Sequence, residues 1–403
     1  MVYSRKKRLT QSMIIVCLLF LLGIAALHSS RLSTNFANEI LEDANGYVPI
    51  VFLCPQSGYY SYVGNDAAWA AQYAVDKLNE QGGINGNQIR LIIKDTESDP
   101  TLVLRYFQGA SSVTPVVLGP VDAPESAIIA DYLGTVKTTS IASYSYSEIR
   151  SLTSSYGISF MSDSENGELA SVTNWIEDHP DIKRVVIFSN KGDDSKSETV
   201  TKLQKLLPEL DVSAVDVIDI SGERTNRLYQ KTAIRALNAG VDGYISLLSD
   251  YDYSNILKEL RLRGVTDGGT ICASFSSFSA ALLEDAGTSL DGTYIWSKYD
   301  YSYSGENWQK LVATYQQEHN GELPLRNVIS DVYDSVLAIA TCYRDLQIDG
   351  TLADASTRKA VKEWFYNSDV IHGIQGDFYW SQGEKIADYH YFIFDGATPT
   401  TIP

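Results

Sequence analysis

Short apolar runs rich in β-branched residues alternate with longer amphipathic runs along most of this 403-residue chain. In the clearest unit, Val48–Cys54 (VPIVFLC) has the pattern of a strand, and Asn65–Gln81 has that of a helix capped by Asn65 or Asp66. After a glycine pair and an Asn-Gly turn, Gln88–Lys94 returns as a second strand. This strand-helix-strand order predicts parallel sheets covered by helices.

Further runs have the length and composition of strands. They are Pro115–Leu118, Thr138–Ala142, Arg184–Phe188, Ala214–Ile220, Gly243–Leu248, Thr270–Ala273 and Tyr294–Ser297. Helical patterns separate most of them, and Val328–Tyr343 predicts a long helix with little charge that packs on a sheet. Two closing runs, Phe378–Trp380 and Tyr389–Phe394, alternate as strands. The layering repeats loosely before and after about residue 165, and a chain of this length suits two domains.

The first 30 residues predict export from the cell. A basic cluster at 5–8 precedes the uncharged apolar stretch Met13–Leu27, which is the order found in secretory signals. The stretch is shorter than the roughly 20 residues of a membrane-spanning helix, which favours a signal peptide over an N-terminal anchor. Because the small-residue cleavage site around Ala25 is poor, both interpretations stay open for residues 1–30. We therefore expect an extracytoplasmic protein that is either free or anchored at its N-terminus.

The formal charge of the chain is −18, and the first 30 residues contribute four basic and no acidic side chains. Such an acidic surface repels nucleic acid and anionic lipid, so no nucleic-acid partner is expected. Outside the export segment only Cys54, Cys272 and Cys342 remain, an odd number at wide spacings. They predict buried free thiols and neither a disulfide framework nor a metal site.

Motifs of catalysis do not occur in the sequence. It contains no GxSxG elbow, no phosphate-binding GxxxxGK[ST], no CxxC and no HExxH, and its five histidines share no ligand spacing. The chain is therefore expected to be a non-enzyme with no cofactor, no metal and no catalytic residues.

Residues 57–100, SGYYSYVGNDAAWAAQYAVDKLNEQGGINGNQIRLIIKDTESDP, carry a resemblance to a known family. The run begins with a Ser-Gly loop, followed by a glycine. A helix ending in Asn-x-x-Gly-Gly-Ile-x-Gly comes next, and then a strand ending in Asp. This run resembles the opening of the leucine/isoleucine/valine-binding family, the substrate-binding subunits of branched-chain amino acid ABC transporters. VVLGP at 116–120, SIASYSYSE at 140–148 and GIQGDFYWSQGEKIADYHYFIFDG at 373–396 also fit, so the resemblance covers nearly everything from Val48 to Gly396.

The resemblance implies an α/β fold of the periplasmic binding protein-like type I, with two Rossmann-like lobes, parallel sheets and three crossings. Lobe one would hold 47–164 and 298–377, and lobe two 165–297 and 378–397. The crossings would lie near 162–165, 297–299 and 376–378. The ligand would lie between the lobes, where the strand C-terminal ends and helix N-termini leave a crevice.

Loops that follow strands supply the candidate ligand-binding residues. In lobe one these are Ser57, Gly58, Tyr59, Tyr60, Asp122, Ala123, Ser143, Tyr144 and Ser145. In lobe two they are Asp194, Ser249, Asp250 and Phe275. By resemblance, the loop around Ser143 and Ser145 holds a ligand carboxylate through hydroxyl and backbone groups.

The sequence departs from the family pattern at several of these positions. Relatives often have a carboxylate-binding serine at the position that Ala123 occupies here. They tend to have aromatic residues at the positions of Asp194 and Ser249, and an acidic residue near the position of Phe275. Either Asp250 or Asp194 could replace that acidic residue, because a desolvated ammonium needs a nearby carboxylate. The alternative is that both are ordinary loop aspartates.

Tyrosines cluster where strands give way to loops. The four runs are Tyr59, Tyr60 and Tyr62; Tyr144 and Tyr146; Tyr251 and Tyr253; and Tyr299, Tyr301 and Tyr303. We expect them to face the cleft or its rim and to favour a ligand with a ring or a broad apolar side chain. The alternative is a surface that is merely rich in tyrosine.

Together these observations predict an exported solute-binding protein that captures an amino acid or analogue and delivers it to an ABC permease. The alternative is a ligand-sensing module of a membrane receptor or kinase. A repressor of the same fold would need a basic helix-turn-helix at the N-terminus, where this chain has its apolar export segment.

Overall fold

The computed structural model describes residues 30–144, 156–160, 164–190, 194–297, 300, 303–351 and 353–402. The predicted export segment lies outside these residues. Within the described ranges, none of the helices combines the length and the apolar character needed to span a bilayer.

The α-helices of the described residues follow one another between the strands along the chain. They are α1 (30–43), α2 (Ser61–Glu80), α3 (Pro100–Val113), α4 (Ala123–Val136), α5 (Ser164–Asp178), α6 (Asp194–Glu209), α7 (Asn226–Asn238), α8 (Asp250–Leu262), α9 (Ala280–Ala286), α10 (Glu306–Glu318), α11 (Asn327–Asp345) and α12 (Ala355–Tyr366). Short 3-10 helices cover Gly268–Thr270, Phe275–Ser277 and Gly287–Leu290.

Most strands of the described residues occupy runs that the sequence indicated, with ends shifted by two residues at most. The strands are β1 (Val48–Cys54), β2 (Ile89–Asp95), β3 (Val116–Leu118), β4 (Thr139–Ala142), β5 (Gly157–Ser159), β6 (Arg184–Ser189), β7 (Ser213–Asp219), β8 (Gly243–Ser246), β9 (Ile271–Ala273), β10 (Tyr294–Ser297), β11 (Ile371–His372), β12 (Asp377–Ser381), β13 (Glu384–Ile386), β14 (His390–Asp395) and β15 (Thr398–Ile402). The strands Gly157–Ser159, Ile371–His372, Glu384–Ile386 and Thr398–Ile402 were not predicted.

Two sheets define the two lobes. The first has the order β2-β1-β3-β4-β5, with all neighbours parallel. The second has the order β15-β14-β10-β9-β8-β6-β7, with β6 to β10 parallel and with β14 and β15 antiparallel at one edge. Helices pack against both sheets, so the predicted α/β fold of two lobes is confirmed.

Helix α2 begins earlier than the sequence indicated. It starts at Ser61, so Asn65 and Asp66 lie inside the helix and do not cap it. The Asp66 side chain is buried and accepts a hydrogen bond from Nη1 of Arg326 at 2.9 Å. Ala67, Ala70, Ala71 and Ala74 form a buried face of this helix, and the helix packs against α11.

Helix α1 is a part of lobe one that the sequence analysis did not include. Phe36 and Ile40 are both buried and pack with the helices and strands on one face of the first sheet. Nζ of Lys94 lies 2.8 Å from Oε2 of Glu39, which ties strand β2 to this helix. Helix α1 therefore packs on lobe one although it precedes residue 47, the expected start of that lobe.

Strands β12 and β13 also belong to lobe one, so the third crossing between the lobes lies later in the chain than the sequence indicated. Phe378 and Trp380 lie in the core of lobe one, and Nε1 of Trp380 donates to the carbonyl oxygen of Ser159 at 2.7 Å. The alternation of β12 places both rings on one face, where Trp380 packs edge-on against Phe365. The chain crosses to lobe two between Ile386 and strand β14, later than the expected 376–378.

The cysteines agree with the sequence prediction. Cys54, Cys272 and Cys342 are buried and free. Burial raises the pKa of each thiol, which keeps it protonated and unreactive near neutral pH.

Candidate ligand site between the lobes

A cavity of about 200 Å³ lies between the two lobes. Lobe one lines it with Tyr62, Val63, Val121, Phe160, Arg326, Asn327, Val328 and Asp331. Lobe two lines it with Ser249, Asp250, Phe275, Ser276, Phe278 and Ser279. Most of these residues follow the C-terminal end of a parallel strand or begin a helix, which is where open α/β sheets form their crevices.

Asp250 is the acidic group of the lobe-two wall. It follows Ser249, begins helix α8, and its Oδ2 accepts a hydrogen bond from Oγ of Ser279 at 2.6 Å. Its Oδ1 accepts a hydrogen bond from the backbone N–H of Tyr251 at 2.8 Å. Among the residues that the structure describes, no cationic side chain pairs with this half-buried carboxylate. Its carboxylate is therefore oriented by neutral donors.

Arg326 is the basic group of the lobe-one wall. Its Nη1 donates to Oδ2 of Asp66 at 2.9 Å, and its guanidinium lies 5.2 Å from the ring centroid of Tyr62. Oδ1 of Asp66 accepts a further hydrogen bond from the hydroxyl of Tyr315 at 2.9 Å. Burial raises the pKa of the Tyr62 hydroxyl, and the carboxylate of Asp250 raises it further. The two lobes thus bring Tyr62, Arg326 and Asp250 to one cavity.

Apolar side chains form the rest of the cavity wall. Phe160 and Val121 of lobe one and Phe278 of lobe two are buried, and Phe275 packs against Trp296 with ring centroids 4.8 Å apart. A ligand with one charged end and an apolar body can satisfy both kinds of wall.

A buried charged cluster of Lys385, Asp331 and Asp334 adjoins the lobe-one wall, which Asp331 also lines. Nζ of Lys385 lies 3.3 Å from Oδ1 of Asp331 and 3.0 Å from Oδ2 of Asp334. Burial lowers the pKa of Lys385, but the two carboxylates outweigh that effect and the pKa is raised. The cluster connects helix α11, which lines the cavity, to strand β13 next to the third crossing.

Three of the four lobe-two candidates lie at the cavity, and their contact with a ligand stays a prediction. Ser249, Asp250 and Phe275 all line the cavity, each after the C-terminal end of a parallel strand. Asp194 begins helix α6, but its side chain lies outside the described part of the structure.

In lobe one the cavity lies at the predicted strand ends, but the side chains that line it are not the predicted ones. Ser57, Tyr59 and Ala123 are exposed outside the cavity, and Tyr60 is half-buried beside it. Asp122 is buried and caps helix α4 by accepting a hydrogen bond from the backbone N–H of Glu125 at 2.9 Å. Their neighbours Tyr62, Val63 and Val121 line the cavity instead.

The hydroxyl loop after β4 also differs from the expectation. Ser143 is buried and its backbone N–H donates to the carbonyl oxygen of Pro120 at 3.0 Å. Tyr144 points into the core of lobe one, where its hydroxyl donates to Oγ of Ser140 at 2.9 Å. Neither residue lines the described cavity, and Ser145 lies outside the described residues.

The expectation that the tyrosine runs face the cleft or its rim fails for Tyr144 and Tyr253, which are buried in the cores of their lobes. Tyr62 lines the cavity, while Tyr59 and Tyr251 are exposed. Tyr253 is buried in the core of lobe two, because it lies on the inner face of helix α8. Tyr303 packs against the core of lobe one. Tyr146, Tyr299 and Tyr301 lie outside the described residues.

Sequence analysis missed the start of helix α11. Arg326, Asn327, Val328 and Asp331 line the cavity although the chain reaches them only after both sheets' parallel strands are complete. The sequence did contain a sign of this position, because a helix was predicted from Val328 and helix N-termini border such crevices. Arg326 was not among the candidates because it follows a loop, whereas the candidates were taken from the loops that follow strands.

A family model described as a periplasmic binding protein matches residues 47–394. No curated protein matches the chain. Solved structures show the fold of its relatives at low sequence identity. A leucine-binding protein from Thermotoga maritima is 18% identical, with a TM-score of 0.72 over 88% of this chain and 98% of that one.

Two structures with bound ligands have the same fold. A branched-chain amino acid transporter substrate-binding protein from Streptococcus pneumoniae, in complex with isoleucine, is 15% identical, with a TM-score of 0.72 over 88% of this chain and 99% of that one. A solute-binding protein of an ABC transporter from R. palustris, in complex with benzoate, is 15% identical, with a TM-score of 0.73 over 89% and 96%. Since the family match spans both lobes and the cavity between them, this chain belongs to the periplasmic binding protein family.

Proposed function

We propose that this protein is an exported solute-binding protein that captures an amino acid or a close analogue between its lobes. It then delivers the ligand to an ABC permease. Membership in the periplasmic binding protein family supports the binding role and the extracytoplasmic location.

The observation that carries the proposal is the environment of Asp250. Its carboxylate lies at the wall of a cavity otherwise rich in apolar groups, and no described cationic side chain pairs with it. A carboxylate in such a place favours a ligand ammonium, because a desolvated charge is costly unless an opposite charge comes close. Phe160, Phe275 and Phe278 offer an apolar surface for the side chain of the same ligand.

The relatives support the same class of ligand. Isoleucine is bound in the S. pneumoniae structure, and leucine in a substrate-binding protein from Desulfitobacterium hafniense that is 14% identical. Benzoate, bound in the R. palustris structure, shares the carboxylate and the apolar body of these amino acids.

A thermal-shift screen of the purified protein tests the proposal. The ligands are the amino acids, short amides, nucleosides and sugars, each at high concentration. A ligand at 100 times its Kd stabilises a protein by about 2.7 kcal/mol, which such a scan resolves. Stabilisation by sugars or nucleosides alone would contradict an amino acid ligand.

Substitution of Asp250 by Asn then tests the site. We expect binding of the best amino acid to weaken by about 10- to 100-fold, because a charge-assisted hydrogen bond is replaced by a neutral one. The matched control is Asp267→Asn, which alters a loop carboxylate of lobe two that only caps a short helix. Equal affinities of the two variants would exclude Asp250 from the ligand site.

A further inference from the structure

Arg326 has more hydrogen-bonding capacity than its protein neighbours use. A guanidinium carries five N–H donors. Among the described residues, only Nη1 has an acceptor, Oδ2 of Asp66 at 2.9 Å. The side chain is 25% exposed and lines the cavity between the lobes. Spare donors on a largely buried cation favour an anionic group of a ligand.

The surroundings of Arg326 hold it in place without satisfying it. Asp66 is itself fixed by the hydroxyl of Tyr315 at 2.9 Å, so it anchors one edge of the guanidinium. The ring of Tyr62 lies 5.2 Å from the guanidinium carbon, within the range of a cation–π contact. A planar fork held in this way is preorganised for a carboxylate, which it can bind through two parallel hydrogen bonds.

We propose that Arg326 binds the carboxylate of the ligand and, together with Asp250 on the opposite wall, makes the cavity selective for zwitterions. This inference rests on the proposed function and names the residue that recognises one end of the ligand. It is an alternative to the prediction that Ser143 and Ser145 bind the carboxylate, since Ser143 is buried and outside the described cavity lining, and Ser145 lies outside the described residues.

The placement of the two charges also explains how such a ligand holds the lobes together. Arg326 belongs to lobe one and Asp250 to lobe two. An amino acid with its carboxylate at Arg326 and its ammonium at Asp250 bridges the two lobes and stabilises the closed state. A ligand that lacks either charge contacts only one of the two lobes electrostatically.

Calorimetry with paired ligands tests the assignment. The probes are L-leucine and L-phenylalanine, each compared with its amide, which keeps the ammonium and lacks the carboxylate. We expect Arg326→Met to weaken amino acid binding by about 10- to 100-fold and to leave amide binding nearly unchanged. Arg326→Lys should fall between the two, because lysine keeps the charge and loses the fork.

Two controls separate recognition from folding. Arg235→Met removes another ion-paired arginine, whose partner Asp216 lies outside the cavity, and should leave both affinities unchanged. Arg326→Met leaves the buried Asp66 without its cationic partner, so the double variant Asp66→Asn, Arg326→Met is measured beside it. Thermal unfolding of each variant verifies that the measured protein is folded.

The possible outcomes give distinct answers. If Arg326→Met weakens the amino acid and its amide equally, Arg326 acts on lobe closure and the assignment is wrong. It is also wrong if Ser143→Ala causes the selective loss and Arg326→Met does not. If the wild-type protein binds neither amino acid nor amide, the proposed function itself fails, and the assignment fails with it.

Discussion

The Nζ atom of Lys385 lies 3.0 Å from Oδ2 of Asp334, and both side chains are almost completely buried. Asp331 contributes a second carboxylate 3.3 Å from the same nitrogen. Two carboxylates of helix α11 thus pair with one lysine of strand β13, next to the point where the chain crosses to lobe two.

Removal of this lysine should therefore be costly. We expect Lys385→Met to lower the free energy of unfolding by about 3–5 kcal/mol, because it removes a buried cation from two buried carboxylates. Urea denaturation measures the change. The control is Lys77→Met, which breaks an exposed pair with Glu80 and should cost at most about 1 kcal/mol. Similar losses in both variants would show that the buried cluster has no special role.

Glu125 should make stability depend on pH. Burial, and then the neighbouring Asp122, raise the pKa of Glu125 to about 9 from a usual value of 4.5. The folded state therefore binds a proton more tightly than the unfolded state, and this contribution is present below about pH 4.5 and lost as pH rises toward 9.

Glu125→Gln keeps the shape of the side chain and cannot ionise. We expect the melting temperature of this variant to fall less than that of the wild type between pH 5 and about pH 8. The same substitution at the exposed Glu322 is the control. Parallel pH profiles of the wild type and Glu125→Gln would refute the raised pKa.

Helix α1 should contribute to the stability of lobe one. Phe36 is 1% exposed, packs edge-on against Tyr106 with ring centroids 5.5 Å apart, and lies under Nζ of Lys94. We expect Phe36→Ala to cost about 3–5 kcal/mol in chemical denaturation, as for other buried phenylalanines. Leu41→Ala on the same helix alters a side chain that is 49% exposed and should have little effect. Equal effects would mean that the helix does not pack on lobe one in solution.

The two lobes should close around a ligand. The cavity walls belong to different lobes, so a ligand that contacts both walls favours the closed state. Small-angle scattering should then give a smaller radius of gyration at saturating ligand than without it. An unchanged radius for a ligand whose binding calorimetry has established would argue for a rigid module.

Aromatic or otherwise bulky amino acids should bind better than leucine or valine. Three phenylalanines, Phe160, Phe275 and Phe278, line the cavity and offer their rings to the side chain of the ligand. Aromatic pairs contribute roughly 0.5–1.5 kcal/mol beyond the area that they bury. Competition calorimetry with phenylalanine, tyrosine, leucine and valine measures the preference, and tighter binding of the aliphatic pair would reject it.

The sequence by itself determined the layered fold, the burial of the thiols and the loops of lobe two that lie at the cavity. Strand Tyr294–Ser297 has the predicted bounds, and Ser249, Asp250 and Phe275 line the cavity as expected. These features were legible because local periodicity fixes where a parallel strand ends, and the strand ends fix where the crevice forms.

Only the tertiary structure decided which side chains reach the cavity from lobe one. The sequence pattern placed both Tyr253 and Tyr62 near the start of a loop. In the structure, Tyr253 is buried in the core of lobe two, whereas Tyr62 lines the cavity. The contact of Arg326 with Asp66 joins the start of helix α11 to the middle of helix α2. The physical reason is that a strand or helix pattern specifies its own buried face, whereas a contact between distant segments depends on how those faces pack together.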